Sequence, residues 1–201
     1  METERKRLAF LGASDSLKKI ERANTITTGD RQENVAEHSW HLSLMSLLFA
    51  DAAPPGTDHH HVRDLLIVHD LVEVFAGDTV IWDTTPDAAI RERETAAAHQ
   101  LFAILPEVEG SRLHDLWQEF DQQVTIEARF ARALDALHPM LMSWGPTSAG
   151  HPLAAELSPS RVLDRKRQWL AAFPDLWDIA QQIVQSAVDR GLLPPDPGNP
   201  T

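Results

Sequence analysis

Apolar residues recur along this chain at spacings of three and four, the period of one helix face, and almost nowhere alternate as a half-buried strand requires. Runs of β-branched and aromatic residues that would mark strands are missing. The expected fold class is therefore all-α. The pattern predicts helices at 4–20, 35–52, 59–75, 86–104, 109–121, 126–144, 159–172 and 174–190, a bundle of seven or eight. Helix punctuation agrees: Pro54, Pro55 and Gly56 part the second helix from the third, Gly77 stops the third, and Pro86 suits the first turn of the fourth. From Gly145 to Pro159 the periodicity gives way to Gly, Pro and Ser, which predicts a surface loop or a flap beside a site. The pattern predicts one domain over 1–192 and a poorly ordered tail over 193–201, where four prolines precede a polar end.

A few polar residues break the apolar pattern, and a polar side chain placed there needs a strong partner. In the run Leu65 to Phe75 the exceptions are His69, Asp70 and Glu73, with Glu73 one turn beyond His69 on the same side of a continuous helix. Asp78 follows just past Gly77, either as an ordinary turn aspartate or with its carboxylate turned back to that face. His38 opens a helix that continues through the apolar stretch Leu42 to Ala50. Asp135 sits among Phe130, Ala131, Ala133, Leu134 and Leu137 and needs either a cation or an arginine, for which Arg132, one turn earlier, competes. Two imidazoles and two carboxylates could together grip one divalent cation and leave positions open for water and substrate, as hydrolytic metal chemistry requires.

Composition narrows the classes. No apolar run approaches the roughly 20 residues of a membrane span, and Met1 to Arg7 lacks the apolar core of a secretory signal. With no cysteine there is neither a disulfide framework nor thiolate ligation, and a cytoplasmic address is the default expectation. Thirty acidic against eighteen basic side chains give a formal charge of minus 12, which disfavours a polymeric nucleic-acid partner. A small phosphate ester remains compatible, because one cation and an arginine neutralise it locally.

The spacing of His38, His69-Asp70 and Asp135 resembles that of the HD-domain metal-dependent phosphohydrolases. Within them the chain is most similar to the branch of the YfbR-type 5'-deoxynucleotidases and HDDC2-like proteins. Two strings carry that likeness: Arg31-Gln32-Glu33-Asn34-Val35-Ala36-Glu37-His38-Ser39, and Leu66-Ile67-Val68-His69-Asp70-Leu71-Val72-Glu73-Val74-Phe75-Ala76-Gly77-Asp78-Thr79. The resemblance extends weakly to Pro174-Asp175-Leu176-Trp177 and so spans nearly the whole domain. It implies that His38, His69, Asp70 and Asp135 ligate one divalent ion (Co, Mn, Fe, Zn or Mg), and that Glu73 and Asp78 are the acid/base and water-positioning carboxylates. It further implies that Arg22 and Arg31 bind phosphate. The reaction implied is hydrolysis of a phosphomonoester, a (deoxy)nucleoside 5'-monophosphate. The alternatives are a phosphodiesterase or pyrophosphohydrolase acting on another nucleotide, and a non-catalytic helical ligand-binding module. His138 departs from common usage in that branch.

The remaining polar and aromatic features read as structure. His59-His60-His61 is a solvated helix end rather than a metal tract. His41 is expected to pack, and His99 and His114 lie outside the motif that supplies a second ion in two-metal relatives. Trp40, Trp117, Trp169 and Trp177 belong to core or interface, and homodimerisation is expected from the surplus of Trp and Leu on helix faces.

Overall fold

The computed structural model describes residues 1–78, 87–151 and 154–196. The expected helix start at Pro86 and the last residues of the tail, 197–201, lie outside them. Eight helices of ten residues or more occur among the described residues: α1 (Glu2–Ser14), α2 (Val35–Leu48), α3 (His59–Val68), α5 (Asp87–Phe102), α6 (Glu107–Gln122), α7 (Ile126–Trp144), α8 (Pro159–Leu170) and α9 (Pro174–Asp189). A single turn, α4 (Glu73–Ala76), lies between α3 and α5. The all-α expectation holds, and no described helix is long and apolar enough to cross a membrane.

α7 is the central helix, packed against α2, α3, α6, α8 and α9. Its buried side includes Phe130, Ala131, Ala133, Leu134, Leu137 and Met140. The small alanines let the neighbouring helices approach closely. Elsewhere the approach needs glycine: a Cβ on Gly110 in α6 would stand 2.5 Å from the Phe102 carbonyl oxygen at the end of α5. Leu193 is buried in the same core, and Asp196 accepts hydrogen bonds from Ser160.

Three predicted helices are divided. The first ends at Ser14 and tightens into a 3₁₀ turn, Asp15–Lys19; the second ends at Leu48, before a 3₁₀ turn at Ala50–Ala52. The third is the one that shapes the site. Instead of running on to residue 75, it stops at Val68, and the chain proceeds through i→i+3 turns, with Leu71 N–H on Val68 O and Glu73 N–H on Asp70 O. The Leu66 carbonyl accepts from the His69 ring.

A two-stranded antiparallel hairpin, β1 (Glu21–Thr25) and β2 (Gln32–Asn34), precedes α2 and was not predicted. Its strands are polar and short, so no apolar alternation marks them. The only local signal is the turn through Thr28, Gly29 and Asp30, where Gly29 adopts φ +77°. β1 rests on α7, which brings Arg22 inward. The loop after α7 also meets the hairpin, Ala149 N–H donating to Thr27 O.

Candidate metal centre

Each predicted metal ligand is delivered by a different local device. His38 lies in the first turns of α2, whose start is fixed by a capping box: Asn34 accepts from Glu37 N–H while the Glu37 carboxylate accepts from Asn34 N–H. His69 caps α3, and its Nδ1–H donates to Leu66 O at 2.9 Å, which turns Nε2 into the site. Asp70 heads the tightened turn. Asp135 comes from mid-α7, one turn before Pro139, which has no N–H to offer the Asp135 carbonyl.

The four meet. His38 Nε2 is 3.0 Å from Asp135 Oδ1 and 3.7 Å from Asp70 Oδ2. His69 Nε2 is 3.1 Å from Asp70 Oδ2 yet makes no hydrogen bond, an orphaned buried nitrogen facing a carboxylate. Among the described residues, ligating atoms of His38, His69 and Asp135 lie within 4.8 Å of one another. Converging nitrogen and oxygen donors without sulfur, one of them orphaned, suit a divalent cation. The competition for Asp135 is resolved by division: Oδ1 faces His38, while Arg132 Nη1 donates to Oδ2 at 2.6 Å.

Electrostatics keep the imidazole of His38 neutral, the form a metal ligand needs. Its burial and the nearby Arg22 push its pKa down to about 4, against the pull of Asp135. Burial opposes ionisation of Asp70, but the partners His69, Arg22 and His38 hold it below the usual carboxylate range. For Glu73 the opposing charge of Arg22 is outweighed: burial, and then the carboxylate of Asp70, push it up to about 10, so it carries a proton at neutral pH. Its Oε2 is buried without a hydrogen-bond partner. Asp78 does turn back to the site, within 3.8 Å of Arg22 Nη1, and its pKa is raised by burial against the opposing charge of Arg22.

Arg22, like Arg132, reaches a carboxylate of the cluster. Its side chain is 14% exposed, Nη1 donates to Asp70 Oδ2 at 2.9 Å, and Nε is buried without a hydrogen-bond partner. The hydrogen bonds of Arg31 go elsewhere. Arg31 stands at the outer end of the hairpin and forks onto Glu37, both contacts at 2.8 Å, with its side chain 52% exposed. The strand pairing explains the difference: β1 lies on α7, so Arg22 faces the helix, whereas Arg31 sits where the chain turns at the surface.

Three residues of the cluster were not assigned from sequence. Glu33, 2% exposed, lies with Oε2 3.7 Å from His38 Nδ1 and 3.9 Å from Arg22 Nε; burial pushes it up to about 7 although Arg22 pulls it down. His138 Nδ1 is 3.2 Å from His38 Nδ1, and His138 Nε2 is 3.0 Å from His41 Nδ1. The signal for His138 was present, since it stands one turn after Asp135 in the same apolar helix. The other histidines stay out: His61 pairs with Glu119, and His99 stacks on His114 with ring centroids 5.2 Å apart.

A family model described as HD domain matches residues 14–177. The chain belongs to the HD domain family. Among curated proteins, this HD domain is 30% identical over 141 residues to the bovine protein named 5'-deoxynucleotidase HDDC2, and 29% identical over 137 residues to the human one. The matches cover 68% of this chain and 65% and 66% of those relatives, so it spans just under two thirds of their length. A crystal structure described as a predicted metal-dependent phosphohydrolase from Magnetospirillum magnetotacticum superposes with a TM-score of 0.83 at 35% identity, covering 96% of this chain and 99% of that one. A conserved hypothetical protein from Pyrococcus furiosus, 19% identical with a TM-score of 0.65, shares the fold and covers 89% and 99% of the two chains.

Proposed function

We propose that this HD domain hydrolyses a phosphomonoester, a (deoxy)nucleoside 5'-monophosphate, to nucleoside and phosphate. One divalent ion would be held by His38, His69, Asp70 and Asp135. The observation that carries the reading is the meeting of His38, His69 and Asp135 ligating atoms within 4.8 Å, drawn from α2, the end of α3 and α7. The relatives' names supply the substrate class.

When bound, a divalent ion lowers the pKa of a coordinated water and draws charge from a phosphoryl oxygen. Co, Mn, Fe, Zn and Mg all accept such a nitrogen and oxygen set. The chain's own residues do the rest. Glu73, protonated and facing inward, passes its proton to the leaving 5'-oxygen, which would otherwise depart as a high-energy alkoxide. Arg22 offers a guanidinium already fixed by Asp70, whose charge would meet a non-bridging phosphoryl oxygen. Asp78, facing Arg22, orients that guanidinium or the attacking water.

The experiment is phosphate release from a panel of ribo- and deoxyribonucleoside 5'-monophosphates with each metal added in turn. A phosphodiester and a nucleoside triphosphate serve as comparators. Metal-dependent release from the monophosphates is the expected result. Cleavage confined to the diester or the triphosphate replaces the reading with the phosphodiesterase or pyrophosphohydrolase, and inertness toward all of them with a ligand-binding module.

The proposed working form is a cytoplasmic homodimer. Trp40, Leu44, Leu47 and Leu48 form one stripe of α2 at i, i+4, i+7 and i+8, and all are exposed, Trp40 by 66% and Leu48 by 68%. Light scattering should give twice the chain mass for the wild type and the single mass for Leu48→Lys; a monomeric wild type removes the proposal.

A further inference from the structure

A metal-binding histidine must keep one ring nitrogen unprotonated, and the neighbour of the other nitrogen decides whether it does. For His69 that neighbour is the Leu66 carbonyl, which can only accept, so the proton is fixed on Nδ1. His38 has no carbonyl in that place. Its Nδ1 faces another imidazole, His138 Nδ1 at 3.2 Å, in a wholly buried setting, with the Glu33 carboxylate beyond hydrogen-bond reach at 3.7 Å.

Two facing ring nitrogens hydrogen-bond only if one carries a proton and the other does not. With His38 Nε2 free for an ion, the His38 proton lies on Nδ1 and His138 Nδ1 accepts it. A neutral His138 then carries its own proton on Nε2, which donates to His41 Nδ1 at 3.0 Å, with Glu33 Oε1 at 3.5 Å beside the same N–H. His41, half-buried, keeps its proton on Nε2. One requirement at His38 thus sets three tautomers in a row. The opposite order puts a proton on His38 Nε2, where it donates to Asp135 Oδ1 at 3.0 Å in place of a cation; a cation at Nε2 moves the proton to Nδ1, where His138 Nδ1 at 3.2 Å is the acceptor. Both helices place the pairs with the same three-residue step, His38 to His41 on α2 and Asp135 to His138 on α7, so the rings stack edge to face, with centroids 4.6 Å and 4.9 Å apart.

We infer that His138 is a positioning residue: with His41 behind it, it holds His38 as the Nδ1–H tautomer and so keeps His38 Nε2 open for the divalent ion. The inference rests on the metal reading above and deepens it.

The test uses the full chain with 15N-labelled histidine, and Zn²⁺ as the metal. Long-range 1H–15N correlations in the Zn-loaded wild type should show the His38 proton on Nδ1 and the His138 proton on Nε2. Zn²⁺ affinity by chelator competition should fall about 10- to 100-fold in His138→Leu. It should recover most of that loss in His138→Gln, whose amide oxygen accepts from His38 Nδ1. A purely structural role would lower the melting temperature of His138→Leu but leave the wild-type tautomers and the Gln rescue unexplained. A wild-type His38 carrying its proton on Nε2 overturns the assignment, and so does a His138→Leu protein that binds Zn²⁺ as tightly as the wild type. Should His138→Leu fail to fold, the wild-type tautomers and the His138→Gln affinity still decide. A wild type that takes up no Zn²⁺, Mn²⁺ or Co²⁺ ends the metal reading and this assignment with it, a failure distinct from equal binding by both variants, which ends the assignment alone.

Discussion

His38 Nε2 and Asp135 Oδ1 stand 3.0 Å apart although 97 positions separate them in the chain. The contact joins the start of α2 to the middle of α7, and the second Asp135 oxygen is taken by Arg132 at 2.6 Å. An aspartate shared between an imidazole and a guanidinium has one oxygen poised for an ion and one held in place. Replacing it by asparagine keeps the shape and removes the charge. Asp135→Asn should weaken divalent-ion binding by more than about 100-fold, beyond what loss of an outer partner does. Chelator competition measures the loss, and circular dichroism should show helicity retained. An unchanged affinity would remove Asp135 from the ligand set.

Glu73→Gln should lower phosphate release by roughly 10²- to 10⁴-fold with metal affinity within a few-fold of wild type, since a protonated carboxyl is lost but no ligand is. The same variant has a pH signature in metal-free protein. The folded-state pKa of Glu73 is raised from 4.5 to about 10, so its folded form binds a proton that the unfolded chain has released. Stability from this group is full below 4.5 and drains as pH rises toward 10. Against Glu73→Gln, which cannot ionise, the wild type should lose about 1 kcal/mol per pH unit across that window. Denaturant unfolding of both proteins at pH 6, 7 and 8 measures the difference, and parallel curves would refute it.

The two arginines should behave oppositely. Arg22→Ala strands Asp70 and Asp78 in a buried site and should destabilise the metal-free protein by about 3 to 5 kcal/mol, while raising KM for the phosphomonoester. Arg31→Ala breaks only an exposed pair with Glu37 and should change stability by less than about 1 kcal/mol. Equal effects on KM would place Arg31 in the site.

Gly110→Ala is a test of the bundle itself. The added methyl meets the Phe102 carbonyl oxygen at 2.5 Å, and a backbone oxygen cannot swing aside as a side chain can. Prising α5 from α6 should lower stability by about 1 to 3 kcal/mol, read by thermal unfolding.

The 3.6-residue period exposed the long helices because each buries one apolar face, and α7, with apolar residues on its buried side and a polar start, was the plainest of them. The break after α3 was hidden because apolar residues resume at Leu71 and Val72 beyond His69 and Asp70; where the helix ends, the His69 ring bonds the Leu66 carbonyl. The hairpin was hidden for the opposite reason. Glu21–Thr25 and Gln32–Asn34 bury too little apolar surface to leave a two-residue rhythm.

By itself the sequence determined the helical class and which residue types carry the chemistry, because helix periodicity and the His-Asp strings are local and survive without coordinates. Only the tertiary structure decided which of those side chains share a space. It set Arg22 against Asp70 and Arg31 against Glu37, and it drew Glu33, His138 and His41 into the cluster. Those choices depend on how β1 lies against α7 and how α2 faces α7, set by packing between segments some hundred residues apart, and no window along the chain contains both sides of such a contact.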